Sequence, residues 1–262
     1  MKDRADKILV TKGFAESRHK AQALIMAGLV FSGGERVAKA GQLIQVDREI
    51  FLKERMPYVS RGGLKLKEAL TAFQIPMKGK IAADLGASTG GFTDCLLKEG
   101  AEKVYAVDVD TRQLDVHLRQ DARVVLIEKN ARYIEKNDFK DSLDVVVIDL
   151  AFISVLKVLP AVKEIIGKGR LIALIKPQFE VGKGRVGRKG IIKDRAMHEE
   201  VLKRIVREAR IISFAPLGIM KPSVLGQKGN QEFFIHWIPG EEPLDSIRVA
   251  HLIKEAVWDE HD

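Results

Sequence analysis

One stretch constrains this chain more than any other: Ala82-Ala83-Asp84-Leu85-Gly86-Ala87-Ser88-Thr89-Gly90-Gly91-Phe92-Thr93-Asp94. It follows the apolar start Lys80-Ile81 and leads into Cys95-Leu96-Leu97-Lys98, so it reads as a strand, a glycine-rich turn and a helix start. Gly86, Gly90 and Gly91 permit positive φ and close approach of backbone to a ligand. Ser88 and Thr89 are candidate caps for the helix. The spacing is not the G-x-G-x-x-G of a dinucleotide turn, and no lysine closes the turn as in a phosphate-binding loop.

Asp84 at the end of the strand suits a ligand with a cationic group, such as the amino group of an amino acid. A second apolar run, Val104-Tyr105-Ala106-Val107-Asp108, ends in an acid where doubly wound folds grip a ribose. An amino-acid group at the first turn and a ribose at the second together describe S-adenosylmethionine.

The alternation continues downstream. Residues 123–127 read as a third strand, and 143–149 as a fourth that is nearly all apolar, as a strand covered on both faces should be. A helix near 154–167 is expected to be bent or interrupted by Pro160, and 170–175 is a fifth strand. Helix 195–210 is followed by strands at 211–216 and 233–237. Residues 240–262 read as a polar, largely acidic tail helix without chemistry. Strands alternating with helices predict an α/β, doubly wound, seven-stranded and mostly parallel sheet. Ligands in such sheets lie beyond the carboxyl ends of the strands. The expected donor-binding set is Asp84, Gly86, Ser88, Thr89, Gly90, Gly91, Phe92, Asp108, Asn130 and Asp149.

Ahead of this domain, helices are expected from Arg4 to Gly13 and from Ser17 to Gly28, with Ala5, Ile8, Leu9, Ala21, Leu24 and Ile25 facing inward, followed by short β runs. Residues 1–60 hold six Lys and five Arg against seven acids, a net +4 of the chain's formal +8. Arg4, Lys7, Lys12, Arg18, Lys20 and Arg36 are the candidate phosphate contacts. The basic loop Lys183-Gly184-Arg185-Val186-Gly187-Arg188-Lys189-Gly190 is expected to add Lys183, Arg185 and Arg188 as an RNA-facing flap. A single cysteine in 262 residues excludes a disulfide framework or a zinc cluster. Met1-Lys2-Asp3-Arg4-Ala5-Asp6 is not a signal peptide, and no apolar run reaches the ~18 residues of a membrane span. A soluble cytoplasmic protein, without a metal, a membrane or an obligate protein partner, is expected.

The acceptor can be narrowed. The turn Asp149-Leu150-Ala151-Phe152 lacks the two prolines usual in adenine amino-methyltransferases. Carbon-5 methylation of pyrimidines needs a cysteine nucleophile, and Cys95 sits in the helix after the glycine turn, a structural position. A hydroxyl acceptor remains, and a ribose 2′-OH needs a group that takes or orients its proton. Lys65 or Lys67, about 200° apart on one helix, together with Asp149, Lys176 and Glu232, offer lysines and acids from separate segments.

Two resemblances follow from these residues. Arg4-Ala5-Asp6-Lys7-Ile8-Leu9-Val10, Gly13-Phe14-Ala15-Glu16-Ser17-Arg18-His19-Lys20-Ala21 and Leu24-Ile25-Met26-Ala27-Gly28-Leu29-Val30 together resemble the S4-type RNA-binding domain. Ser60-Arg61 with Lys65-Leu66, Asp144 through Asp149, Ile175-Lys176-Pro177-Gln178-Phe179 and Gln231-Glu232-Phe233-Phe234 resemble the Lys-Asp-Lys-Glu tetrad of FtsJ-type ribose 2′-O-methyltransferases. Jointly the chain is similar to the TlyA, or hemolysin A, family. The resemblance implies an S-adenosylmethionine-dependent enzyme methylating cytidine 2′-OH groups of ribosomal RNA, with ribosomal RNA or ribosomal subunits as partner. It implies Lys176 as proton acceptor, Asp149 as its orienter, and Lys65 with Glu232 as the positioning pair. The implied layout is an S4-type α+β domain over 1–53, a linker over 54–60 and an FtsJ-like domain over 61–262. The alternatives are a non-catalytic RNA-binding or ribosome-assembly factor, and a hemolysin, for which the sequence offers neither a secretion signal nor a span.

Overall fold

The structure, a computed structural model, describes residues 1–53, 56–182, 184–187, 190–240 and 245–259. The chain divides into two compact units, Met1–Met56 and Pro57–Asp262. In the first, β1 (Lys2–Arg4), α1 (Ala5–Thr11), α2 (Arg18–Met26), β2 (Val30–Ser32), β3 (Glu35–Arg36), β4 (Leu43–Gln45) and β5 (Ile50–Leu52) follow in order. Ser17 caps α2 by accepting from Lys20 N at 3.2 Å, and Ala5, Ile8, Leu9, Ala21 and Ile25 pack with Val30 and Ile50. β1 pairs with β4, while β3-β2-β5 form an antiparallel sheet. β1 ends at Arg4, where the first helix is expected to begin, and α1 starts one residue later at Ala5; no local sign in the sequence marks β1, whose partner lies 39 or more residues downstream.

The second unit contains α3 (Arg61–Ala72), β6 (Ile81–Leu85), α4 (Gly91–Lys98), β7 (Lys103–Asp108), α5 (Val116–Gln120), β8 (Val124–Glu128), β9 (Val145–Ile148), α6 (Leu159–Ile166), β10 (Arg170–Ile175), α7 (Pro177–Glu180), α8 (Arg195–Ile211), β11 (Phe214–Met220), β12 (Phe233–Pro239) and α9 (Ser246–Trp258). The seven strands lie in the order β11-β12-β10-β9-β6-β7-β8. β12 runs antiparallel to β10 and β11, and the other pairings are parallel. This is the expected doubly wound sheet.

Alternation along each strand feeds two cores. Ala83, Leu85, Val146 and Ile148 face α6, α8 and α9. Ala82, Val145 and Val147 face α3 and α4. All four residues of β9 are buried, as a central parallel strand requires. Among the described residues no helix is long and apolar enough to cross a membrane.

Two expectations are corrected and a third is resolved. The helix expected over 154–167 is interrupted rather than bent, as a short turn at Val155–Lys157 followed by α6, with Pro160 in the first turn of α6, where its missing N–H costs nothing. The strand expected at 211–216 begins at Phe214, because α8 runs to Ile211. The tail helix is not merely polar: Val249, Ile253, Ala256 and Val257 of α9 are buried in the core beside α8 and β11. Of the stretch read as a linker, Glu54 and Arg55 lie outside the described residues. Val59 N donates to Asp94 Oδ2 at 2.9 Å, and Ser60 is the N-cap residue of α3.

His236 on β12 is 3% exposed and packs against Phe73, with ring centroids 5.3 Å apart. Burial, helped by the charge of Arg170, pushes its imidazole down to about 4. The unfolded chain therefore binds the extra proton between pH 6.5 and 4, so stability falls as pH drops through that window. The expected loss is on the order of 3 kcal/mol. Urea unfolding at stepped pH should show this slope, and His236→Phe should flatten it.

Candidate active site

The site begins with the turn after β6. Gly86 has φ +92°, and a Cβ there would stand 2.5 Å from the backbone oxygen of Asp149. Only glycine lets the end of β6 lie this close to the end of β9. The helix cap is Gly90, with φ 96°, not Ser88 or Thr89. Ser88 itself has φ +49° and donates its N–H to Asp108 Oδ2 at 2.9 Å, tying the glycine turn to the end of β7.

A second close approach places α3. A Cβ on Gly91 would lie 2.1 Å from Ser60 Oγ, and one on Gly63 would lie 2.3 Å from Tyr58 Cγ and 2.8 Å from the Gly91 oxygen. α3 and α4 thus meet almost backbone to backbone. Lys65 is 7% exposed, and its Nζ donates to Glu232 Oε2 at 2.6 Å. Lys67, on another side of the helix, pairs with Glu99 at the surface.

The antiparallel strand supplies the remaining step. Ile175, the last residue of β10, pairs with Phe233, the first of β12. Lys176 and Glu232 therefore leave the sheet side by side at its carboxyl end. Lys176 forms an ion pair with Asp149, which follows β9. Lys65, Asp149, Lys176 and Glu232 all line one cleft of about 410 Å³, with Arg61, Gly86, Ser88, Thr89, Gly91 and Phe92. The backbone at Gly226 presses on this group, since a Cβ there would lie 2.1 Å from Glu232 Oε1.

A neighbouring cleft of about 420 Å³ is lined by Asp108, Asn130, Lys129 and Val109 and shares Gly86, Ser88, Asp149, Ala151 and Phe152 with the first. Asn130 also accepts from Arg132 N at 2.9 Å. The chemistry of this second cleft fits a nucleoside. An acid and an amide stand at two strand ends, and a glycine turn leaves open backbone between them. Both clefts fall in the range that binds small cofactors.

Two residues expected in the donor site line neither cleft. Asp84 alternates with Leu85 and so points towards α4, where it is fully buried and accepts from Thr93 Oγ1 at 2.7 Å. Its Oδ1 has no partner, and burial pushes its carboxyl up to about 7. Gly90 packs under Leu114 and Leu118.

The basic residues are more constrained than expected. Arg4 and Arg18 converge with Gln22 on Asp6, which has no exposed surface, at 2.9–3.1 Å. The Arg4 hydrogen bonds, joined by those of Gln22 and Arg18, hold the Asp6 carboxyl well below the usual carboxylate range. Lys7 lies 3.9 Å from Asp3, Lys20 pairs with Glu16, and Lys12 donates to the Arg48 oxygen at 3.1 Å. Arg185 is pinned to Glu200 by two contacts of 2.6 Å. Lys183 and Arg188 lie outside the described residues.

Sequence reading passed over Glu180. Its buried carboxylate accepts from Val155 N at 2.8 Å, Ser154 Oγ at 2.7 Å and Arg204 at 3.2 Å. It ties the segment after Asp149 to the helix after Lys176. Its place four residues beyond Lys176 was the available signal. Gln178, which lines the first cleft, carries a buried Oε1 without a partner, a contact that no spacing rule would find.

A doubly wound sheet with a glycine turn and two adjoining clefts at its carboxyl ends is the Rossmann-like arrangement that binds nucleotides at that edge, and its match to a methyltransferase family makes it of the S-adenosylmethionine-dependent methyltransferase class. Residues 58–238 match the FtsJ-like methyltransferase family, and residues 3–50 match the S4 domain. The chain is 42% identical to Hemolysin A of Brachyspira hyodysenteriae, over 90% of this chain and 99% of that protein. It is 38% identical to the 16S/23S rRNA (cytidine-2′-O)-methyltransferase TlyA of Mycobacterium tuberculosis, over 90% of this chain and 89% of that one. A solved Streptococcus thermophilus structure that carries the hemolysin name superposes with a TM-score of 0.74 at 40% identity, covering 97% of this chain and 95% of the other. The chain belongs to the TlyA family of FtsJ-like methyltransferases with an S4 domain.

Glu180→Ala should leave Val155 N and Ser154 Oγ without their acceptor, while Arg204 keeps the backbone oxygen of residue 180 at 2.7 Å, and lower stability by about 2–3 kcal/mol. Glu180→Gln, which keeps an acceptor for Val155 N, should cost less. Denaturant midpoints of the two variants check the order.

Proposed function

We propose that this protein transfers the methyl group of S-adenosylmethionine to a ribose 2′-hydroxyl of ribosomal RNA, a cytidine by analogy with the named Mycobacterium tuberculosis relative. One observation carries the reading: two lysine–carboxylate pairs, Lys65–Glu232 and Lys176–Asp149, stand in a single cleft that shares a wall with a nucleoside-sized one. S-adenosylmethionine supplies an electrophilic methyl on a sulfonium centre. Asp108 and Asn130 would hold its nucleoside end, with the turn at Gly86 and Ser88 beside it.

Lys176 Nζ, once it has given up the proton it holds in the resting ion pair with Asp149, takes the proton of the 2′-hydroxyl while the oxygen attacks. Asp149 orients the amine and stabilises the ammonium that forms. Lys65, fixed by Glu232, donates to the ribose and aligns its oxygen with the methyl. Alignment of the reacting atoms and removal of a proton are the two terms a poor hydroxyl nucleophile needs. The N-terminal unit, matched to the S4 domain, supplies RNA affinity, and ribosomal RNA or subunits are the partner.

Incubation of the protein with tritiated methyl donor and ribosomal subunits should label the RNA, and a chain that only bound RNA would incorporate nothing. Lys176→Ala should lower turnover by at least about 100-fold while donor affinity, read by calorimetry, persists. Equal loss of both would assign Lys176 to the donor pocket. Removal of residues 1–53 should weaken subunit binding and labelling together.

A further inference from the structure

Of the six N-terminal basic residues singled out above, Arg36 is the one for which the described residues provide no ion pair and no side-chain hydrogen bond. Its guanidinium lies over Gly28, where a Cβ would meet Nη2 at 2.3 Å. Register sets its neighbours. Arg36 stands opposite Phe31, and Phe31 stands opposite Phe51. Residues directly opposite in an antiparallel sheet share a face, so Arg36, Phe31 and Phe51 form one row across β3, β2 and β5. The other face carries Val30 and Ile50, both buried in the core of this unit.

The two rings are stacked, with centroids 5.1 Å apart and planes 10° from parallel. Phe51 is 45% exposed and lies on the edge strand of the sheet. Among the described residues no further strand pairs with its far side. Glu49 and Lys53 flank it in sequence with opposite charges, and Arg48, which lies over Gly33, pairs with Glu35 at 3.5 Å, so Arg36 supplies the positive charge of this row that no acid offsets.

We propose that this row is a stacking platform for an unpaired nucleobase of the RNA substrate, a site that rests on the RNA-methylation reading above. The base would continue the Phe31–Phe51 stack on the open face of Phe51. Arg36, two strand spacings or about 10 Å from Phe51 and a further stacking distance from the base, would take a phosphate of a neighbouring nucleotide in the same strand. Aromatic rings accept any base in this way, since every base has a π face, and duplex RNA has no free base to offer. The platform therefore selects single-stranded or looped RNA without reading its sequence.

The test uses the full chain. Phe51→Trp places an indole at the platform, and its fluorescence, taken as the difference from the wild-type chain with Trp237 and Trp258, is followed while a single-stranded RNA octanucleotide, or a blunt duplex of the same sequence, is added. Quenching by the single strand and none by the duplex at equal concentration is expected. Phe51→Ala and Phe51→Leu should each weaken single-strand binding about 10-fold. The leucine variant keeps an apolar contact with Phe31, so a folding defect in the alanine variant does not decide the outcome. Arg36→Gln should weaken binding and flatten its salt dependence. No quenching, equal quenching by duplex, or full affinity in both Phe51 variants overturns the platform while leaving the methylation reading intact. A wild-type protein that binds neither the octanucleotide nor ribosomal subunits overturns the reading beneath it.

Discussion

The antiparallel pairing of β12 with β10 is the constraint on which the site depends. In an all-parallel sheet the carboxyl end collects only the residues that follow strands. Because β12 runs the other way, it begins where β10 ends, with Phe233 opposite Ile175. That single reversal delivers Glu232 to the same edge as Lys176 and Asp149. α3, packed against α4 through Gly63 and Gly91, brings Lys65 to meet it. Four residues spread over 168 positions of chain thus converge through one strand reversal and one close helix contact.

Much of the fold was legible because its signals are local. The apolar runs at β6, β7, β9 and β10 and the glycine turn each announce themselves within a dozen residues. Edges were less legible. Pro160 reads as a break in any helical pattern, and only its place in the first turn of α6 makes it harmless. The α8–β11 boundary was misplaced because Ile211 and Ile212 suit a helix end as well as a strand start. β1 owes its conformation to β4, and no short window contains both.

The candidate site was legible as a list of residues but not as geometry. Asp84 has the right type and position for a ligand contact. Strand alternation turns it under the glycine turn instead, where burial favours its neutral form. Glu180 was passed over because a glutamate in a four-residue helix looks like any surface acid until Ser154, Val155 and Arg204 are seen around it. The N-terminal charge tells a similar story. Counting lysines and arginines marks a basic unit, but Arg4 and Arg18 spend part of their charge on the buried Asp6.

The formal charges of the four cleft side chains cancel, two positive against two negative. With Arg61 also on its wall, the cleft keeps a single excess positive charge, a weak long-range attraction for a polyanion, so encounter and chemistry draw largely on different parts of the molecule. Added electrolyte weakens attraction between exposed charges over distances beyond about 10 Å and barely reaches a contact such as Lys65–Glu232. Ionic strength should therefore slow the arrival of a nucleic acid while leaving single-turnover rates of the assembled complex nearly constant.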